Sequence, residues 1–194
     1  IIGPNCLGLY DPSIGIRQTE AQPYGESGYF GYISNSGSQA VGLTTNAYSH
    51  GIMMSKCFSM GNGMVLEQAD YLDYLADDDA TRIIGLYIEG IRDPQRFFNS
   101  LSEASKKKPV IVWKVGQTED AARATAAHSG APYIRQELWS SLIARCGALE
   151  VNSVDEMVDT AKALSLLTHA NGYNMALIAA AGGHSTEMAN VFSK

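Results

Sequence analysis

Two residues carry the chemistry this sequence offers most clearly, His128 and Glu89. His128 lies in Ala126-Ala127-His128-Ser129-Gly130, a small-residue stretch that reads as a loop, without clear helix or strand periodicity. Glu89 closes the apolar run Ile83-Ile84-Gly85-Leu86-Tyr87-Ile88, which reads as a buried parallel strand ending in a carboxylate. In open α/β sheets ligands collect at the carboxyl ends of strands, so a glutamate there is expected to face a cleft. A carboxylate that holds one imidazole nitrogen fixes the tautomer and leaves the other nitrogen free as a nucleophile. A transient phosphohistidine requires that arrangement.

A phosphoryl group also needs donors. Ser34-Asn35-Ser36-Gly37-Ser38 falls between a strand and a helix, and Ala181-Gly182-Gly183-His184-Ser185 has the same character. Backbone N–H groups at a helix start bind anions, and glycine lets a phosphate approach the backbone. Each helix end is worth about 0.3–2 kcal/mol to a charge placed there. A tight turn with an N-cap serine accounts for either loop singly; the pair, beside a histidine, favours phosphate. Gly3-Pro4-Asn5-Cys6-Leu7-Gly8 is a further turn, either a loop with a buried cysteine or a cleft wall near a thiol-bearing substrate. His50, His169 and His184 offer less, and no histidine pair has metal-ligand spacing such as HExxH. Ser36 lacks the GxSxG elbow of a serine hydrolase, and no GxxxxGK[ST] loop is present for ATP.

The elements that must position these groups alternate apolar runs, Gly/Ser/Thr turns and amphipathic stretches, the signature of βαβ construction. Strands are expected at 29–33, 57–60, 82–89, 110–115, at the edge-like 148–151, and at 175–181. Helices are expected from the Ser36 turn to about Tyr48, over 69–75 with Tyr71, Leu72 and Leu75 on one face, and over 95–104 behind Pro94. Two more fall over 134–146 and from the capping box Ser153-Val154-Asp155-Glu156 to about Leu167, and a last one runs on from His184. Asp77-Asp78-Asp79 is expected as a solvated loop and Lys106-Lys107-Lys108 as a solvated helix end. The polar stretch 168–174 is a candidate domain boundary.

At 194 residues the chain can bury a full core. A net charge of -6 and the absence of a basic stripe argue against nucleic-acid or anionic-membrane partners. Cys6, Cys57 and Cys146 are odd in number and lack CxxC spacing, which fits a reducing, cytoplasmic setting and not a disulfide or zinc framework. No apolar run approaches the ~20 residues a membrane helix needs. The opening Ile1-Ile2-Gly3 and the ending soon after a strand-like run suggest a piece of something longer.

Taken in order, Gly3-Pro4-Asn5-Cys6, Ile33-Ser34-Asn35-Ser36-Gly37, Met60-Gly61-Asn62, Leu86-Tyr87-Ile88-Glu89-Gly90, Lys108-Pro109-Val110, Lys114-Val115-Gly116 and His128-Ser129-Gly130 resemble the CoA-ligase domain of NDP-forming acyl-CoA synthetases, similar to the succinyl-CoA synthetase α-subunit. The resemblance implies an α/β fold with a flavodoxin-like, doubly wound, mainly parallel sheet, and the start of a second such domain at the C-terminus. It implies residues 1–26 as the tail of a CoA-binding domain with its linker, 27–168 as the ligase-like domain and 169–194 as a linker and second-domain start. It implies an acid–CoA ligase in which His128 carries the phosphoryl group and Glu89 orients it. Ser36, Gly37, Ser38, Ser129, Gly130, Gly182 and Gly183 would hold phosphate, and Asn5 and Cys6 would lie near the CoA thiol. The implied cofactors are CoA and ATP or ADP with magnesium. The implied partners are an acyl acid and an ATP-grasp domain or subunit, in a homo- or hetero-oligomer, and the isolated piece would be inactive. The chain departs from the family pattern at Ala127-His128-Ser129-Gly130, at the bulky Tyr133-Ile134-Arg135, and at Asn190, where an aspartate is usual. A non-catalytic module that senses CoA or acyl-CoA, fused to an enzyme such as an acyltransferase, is the alternative reading. A response receiver is a weaker third, since glutamate is a poor phosphoacceptor.

Overall fold

The computed structural model describes residues 1–129, 134–167 and 174–193, with the side chains of Glu119, Ala126, His128 and Ser129 outside the described set. Runs rich in β-branched and aromatic residues form strands, as their fit to a pleated buried surface dictates. They are β1 (Gly8–Tyr10), β2 (Phe30–Ser34), β3 (Met54–Ser59), β4 (Ile83–Ile88), β5 (Val110–Lys114) and β6 (Leu149–Val151). The helices are α1 (Gly37–Ser49), α2 (Gln68–Asp77), α3 (Pro94–Lys107), α4 (Glu119–Ser129), α5 (Gln136–Arg145), α6 (Val154–Leu166) and α7 (Gly182–Phe192). None of them is long and apolar enough to cross a membrane, among the described residues.

The strands make one sheet in the order β1-β3-β2-β4-β5-β6. All pairs are parallel except β1 with β3, where Gly8 faces Ser59 and Tyr10 faces Cys57. From β2 the winding goes outward to β3 and then crosses back to β4, which places a topological switch point between β2 and β4. The central strands are buried on both faces. Ile84, Leu86 and Ile88 pack with Leu72, Phe97, Leu101, Trp139 and Ile143 of α2, α3 and α5. Ile83 and Tyr87 pack on the other side with Leu43 and Ala47 of α1 and Met157 and Val158 of α6. This two-layered cover is the doubly wound, flavodoxin-like α/β architecture.

Several expectations change. The stretch at 126–129 is the last turn of α4, not a loop. Five alanines over 121–127 give it high helix propensity, and Thr118 caps it: its Oγ1 accepts from Ala121 N–H at 3.2 Å. Residues 174–180 carry no strand, and Met175 and Ile178 are exposed. An isolated run finds no neighbour to satisfy its ladder among the described residues, so apolar composition alone does not make it a strand. The short β1, with Gly8 and only three residues, gave no period to read; Tyr10 nevertheless lies in the core and its hydroxyl donates to Pro23 O at 2.7 Å.

Asp78 is not a solvated loop residue. It takes two bonds from Lys56 Nζ, at 3.1 and 3.0 Å, and one from Thr81 Oγ1 at 2.7 Å. Lys108 likewise turns inward to the carbonyls of Leu75 and Asp78, whereas Lys106 and Lys107 pair with Glu103 and Asp77 at the surface. The predicted capping box is half formed: Ser153 Oγ accepts from Glu156 N, but Glu156 reaches past Ser153 to the N–H of Asn152.

Candidate functional site

The carboxyl ends of β2, β3, β4 and β5 meet at the switch point, and one asparagine joins three of the loops that leave them. Asn35 follows β2; its Nδ2 donates to Gly61 O beyond β3 at 3.0 Å, and its Oδ1 accepts from the N–H of Glu89 beyond β4 at 3.1 Å. Gln68, at the first turn of α2, donates from Nε2 to the same Oδ1 at 3.0 Å and to Gly90 O at 2.6 Å. Lys114, at the end of β5, donates from Nζ to Glu89 O at 3.0 Å and to Val115 O. The loops are thus fixed by side chains that reach between strands, which is how polar groups at this depth find partners.

Glu89 stands one residue past the end of β4 and is 6% exposed. Tyr87, two residues earlier and on the same side of the strand, is pushed up to about 12 by burial, by the Glu89 charge and by a hydrogen bond with Glu89. Its ring stands edge-on to Trp113 at 5.0 Å, which holds the hydroxyl in place. Lys114 is 5% exposed; burial lowers its pKa, while the Glu89 charge draws it back up. An acidic side chain, a phenol and a buried ammonium therefore share one corner of the sheet.

The first loop docks here too. Asn62 N donates to Pro4 O at 3.0 Å and Met64 N to Gly3 O at 3.1 Å, while Asn5 Nδ2 donates to Asn62 Oδ1 at 3.3 Å. Gly61 has φ +59, and a Cβ there would lie 2.2 Å from the carbonyl oxygens of Pro4 and Asn5, so only glycine fits. Arg92 Nη1 bonds the carbonyls of Gly63 and Met64 at 2.8 and 2.6 Å and closes the same loop from the other side. Asn5 and Cys6 are accordingly held against the turn after β3, near Asn35.

Ser36 is the N-cap of α1, its Oγ accepting from Gln39 N at 3.5 Å and lying 3.0 Å from Ser38 Oγ. No acidic residue occupies the first turn of α1, so the positive end of its dipole is uncompensated from within. The first turn of α7 also lacks an acid, and Gly182 and Gly183 are exposed at its start with open space around them. On the far side, α4 is drawn against the end of β5: Gly116 has φ +79 and a Cβ there would lie 2.9 Å from Thr125 Oγ1. His128 follows three residues later, about 4.5 Å further along the helix axis. The side chains of His128 and Ser129, and Gly130 entirely, lie outside the described residues.

The structure therefore gathers Asn5, Cys6, Ser36, Gly37, Ser38 and Glu89 around one set of strand ends. The sequence offers Asn35 and Lys114 only as parts of motifs and does not mark Tyr87, Gln68 or Arg92 as site residues. The only signal for Gln68 was its place at a helix start after a glycine turn. Surface cavities of about 450 Å³ lie between α3 and α5 and against Phe58, Tyr71 and Tyr74.

Residues 27–164 match the family of the succinyl-CoA ligase like flavodoxin domain. The chain belongs to that family. Across 194 residues it is 34% identical to the acetate–CoA ligase [ADP-forming] II subunit alpha of Pyrococcus furiosus, covering all of this chain and 42% of that one. It is 32% identical over 183 residues to the acetate–CoA ligase [ADP-forming] I of Archaeoglobus fulgidus, covering 94% of this chain and 26% of that one. A dinucleotide forming acetyl-coenzyme A synthetase 1 of Candidatus Korarchaeum cryptofilum, solved with phosphate and ADP, superposes with a TM-score of 0.89 at 31% identity, over 99% of this chain and 42% of that chain. The chain thus spans 26–42% of the length of these relatives.

Proposed function

We propose that this succinyl-CoA-ligase-like domain is the phosphoryl-relay part of an NDP-forming acid–CoA ligase. The observation that carries the reading is Glu89, buried at the switch point between β2 and β4 beside the uncompensated start of α1. The relatives' names, ADP-forming acetate–CoA ligases, supply the reaction class.

In this reading the free imidazole nitrogen of His128 attacks the γ-phosphorus of ATP; an N–P bond forms and the P–O bond to ADP breaks. Glu89 holds the other ring nitrogen and balances the charge the ring gains. A carboxylate oxygen of the acid then attacks phosphorus, the N–P bond breaks and acyl phosphate forms. The CoA sulfur attacks the acyl carbon, inorganic phosphate leaves, and the thiol proton passes to solvent. The donors come from Ser36, Gly37 and Ser38 at one helix start, Ser129 and Gly130 beside the histidine, and Gly182 and Gly183 at the second helix start. Fixed amide dipoles in a water-poor site stabilise such an anion without rearranging. Asn5 and Cys6 border the CoA thiol. Magnesium enters with the nucleotide, on an ATP-grasp domain or subunit. Residues 1–26 belong with a CoA-binding domain, 27–168 form the relay domain, and 169–194 begin a second ligase-like domain of a cytoplasmic protein.

A phosphoenzyme makes a direct prediction. The complete protein carrying this domain exchanges labelled ADP into ATP with no acid or CoA added, and His128→Asn abolishes the exchange. CoA binding without any exchange in the folded protein would instead favour a sensing module.

A further inference from the structure

Glu89 is held by its main chain as well as by its surroundings. Its N–H is taken by Asn35, its carbonyl by Lys114, and the next carbonyl, Gly90 O, by Gln68. Gln68 and Asn35 are also bonded to each other, and Asn35 is anchored on Gly61. Gln68 is 2% exposed and is the first residue of α2.

We propose that Asn35, Gln68 and Lys114 form a clamp on the 89–90 peptide that aims the Glu89 carboxylate, and that Gln68 is its key: a positioning residue for phosphoryl transfer. The inference rests on the relay reading above. The residue after a strand end is free to rotate about φ and ψ, and a rotation there swings the carboxylate by several ångströms. Fixing N–H, C=O and the following C=O removes that freedom before any ligand arrives. Gln68 is suited to the task because one Nε2 group bridges two acceptors, Asn35 Oδ1 and Gly90 O, and so locks the loop after β2 to the loop after β4. A misplacement of about 1 Å in a positioned group can cost about 100-fold in rate, so the effect of losing this bridge is measurable.

The test is a double-mutant cycle in the complete protein with its nucleotide-binding module. The rate of phosphate transfer from labelled ATP to His128 is measured for wild type, Gln68→Met, Glu89→Gln and the double variant. Thermal melting and far-UV circular dichroism are followed in each. Gln68→Met is expected to slow labelling about tenfold in the wild-type background. In the Glu89→Gln background, with no carboxylate left to aim, the further loss is expected to be under about twofold. An equal factor in both backgrounds overturns the clamp and leaves Gln68 a merely structural residue. If Gln68→Met does not fold, Gln68→Ala, which removes the donor without adding bulk or charge, is read in the same cycle. A wild type that takes no label at His128 sinks the relay reading itself, and the wild-type arm tells that outcome apart from a failure of the clamp.

Discussion

Glu89 shows how much a single carboxylate depends on its neighbours. Tyr87 and Lys114 lie close to it, a donor on one side and an ammonium on the other, and both are themselves buried. Replacing Glu89 by glutamine keeps the volume and removes the charge, so folding is expected to hold while phosphoryl transfer slows at least about tenfold, as for other histidines deprived of an orienting carboxylate. Rapid-quench labelling with a parallel thermal melt checks both halves of that statement. Gly61 is the converse case, a residue chosen for what it lacks. Gly61→Ala puts a Cβ into the carbonyls of Pro4 and Asn5 at positive φ, and a loss of about 2 kcal/mol or more is expected in urea denaturation. An unchanged midpoint would mean that the first loop is not seated on this turn.

Among the elements, the strands were the easiest to read. Runs such as Ile83–Ile88 are apolar throughout because both faces are covered, and the glycine, proline and serine punctuation between them marks the turns. The helix α4 is hard to read because alanines show no amphipathic period, although their propensity favours a helix. The run at 175–181 misleads for the opposite reason, since it has the composition of a strand but no neighbour to pair with among the described residues. Within the site, Glu89 and the Ser36 cap were legible because chemistry and position coincide at strand ends. Gln68 was not, because its role depends on a carbonyl, Gly90 O, brought near by the fold and not by the sequence.

The packing of elements also sets titration behaviour. Asp78 ties β3 to the segment before β4. Burial opposes its ionisation, but the Thr81 hydroxyl and the Lys56 ammonium outweigh that and leave its pKa below the usual 3.8. A lowered carboxylate contributes stability that is complete above its unfolded pKa and is lost as pH falls through the folded one. Asp78→Asn is therefore expected to cost about 1–3 kcal/mol at pH 7, and less than this below pH ~3.8, where the wild type loses the same advantage. Urea unfolding of both proteins at pH 7 and pH 3 decides it; an equal difference at the two values would contradict it. On β3, burial drives the Cys57 thiol far upward, with only partial relief from Gln18. Cys57 is expected to resist iodoacetamide at pH 8 in the native protein and to react on unfolding, as peptide mass spectrometry would reveal.

At the scale of the molecule, the flavodoxin-like winding does one thing for function: it brings four strand ends and a helix start to one corner, and puts α4 with His128 after the strand beside them. The antiparallel β1 adds the first loop to the same corner through Leu7, whose N–H donates to Ser59 Oγ at 3.0 Å. Since the chain spans 26–42% of these relatives, the relay proposal looks to the remaining parts of the complete protein for the nucleotide and CoA donors. The relay proposal gives this domain the step between them. Its most direct measurement is the position of the phosphate: the complete protein is incubated with labelled ATP and magnesium, quenched in alkali, digested and mapped. The account predicts an acid-labile, base-stable phosphate on His128 that free ADP or acid plus CoA discharges. A folded, nucleotide-binding protein with its label on any other residue, or with none, would contradict it.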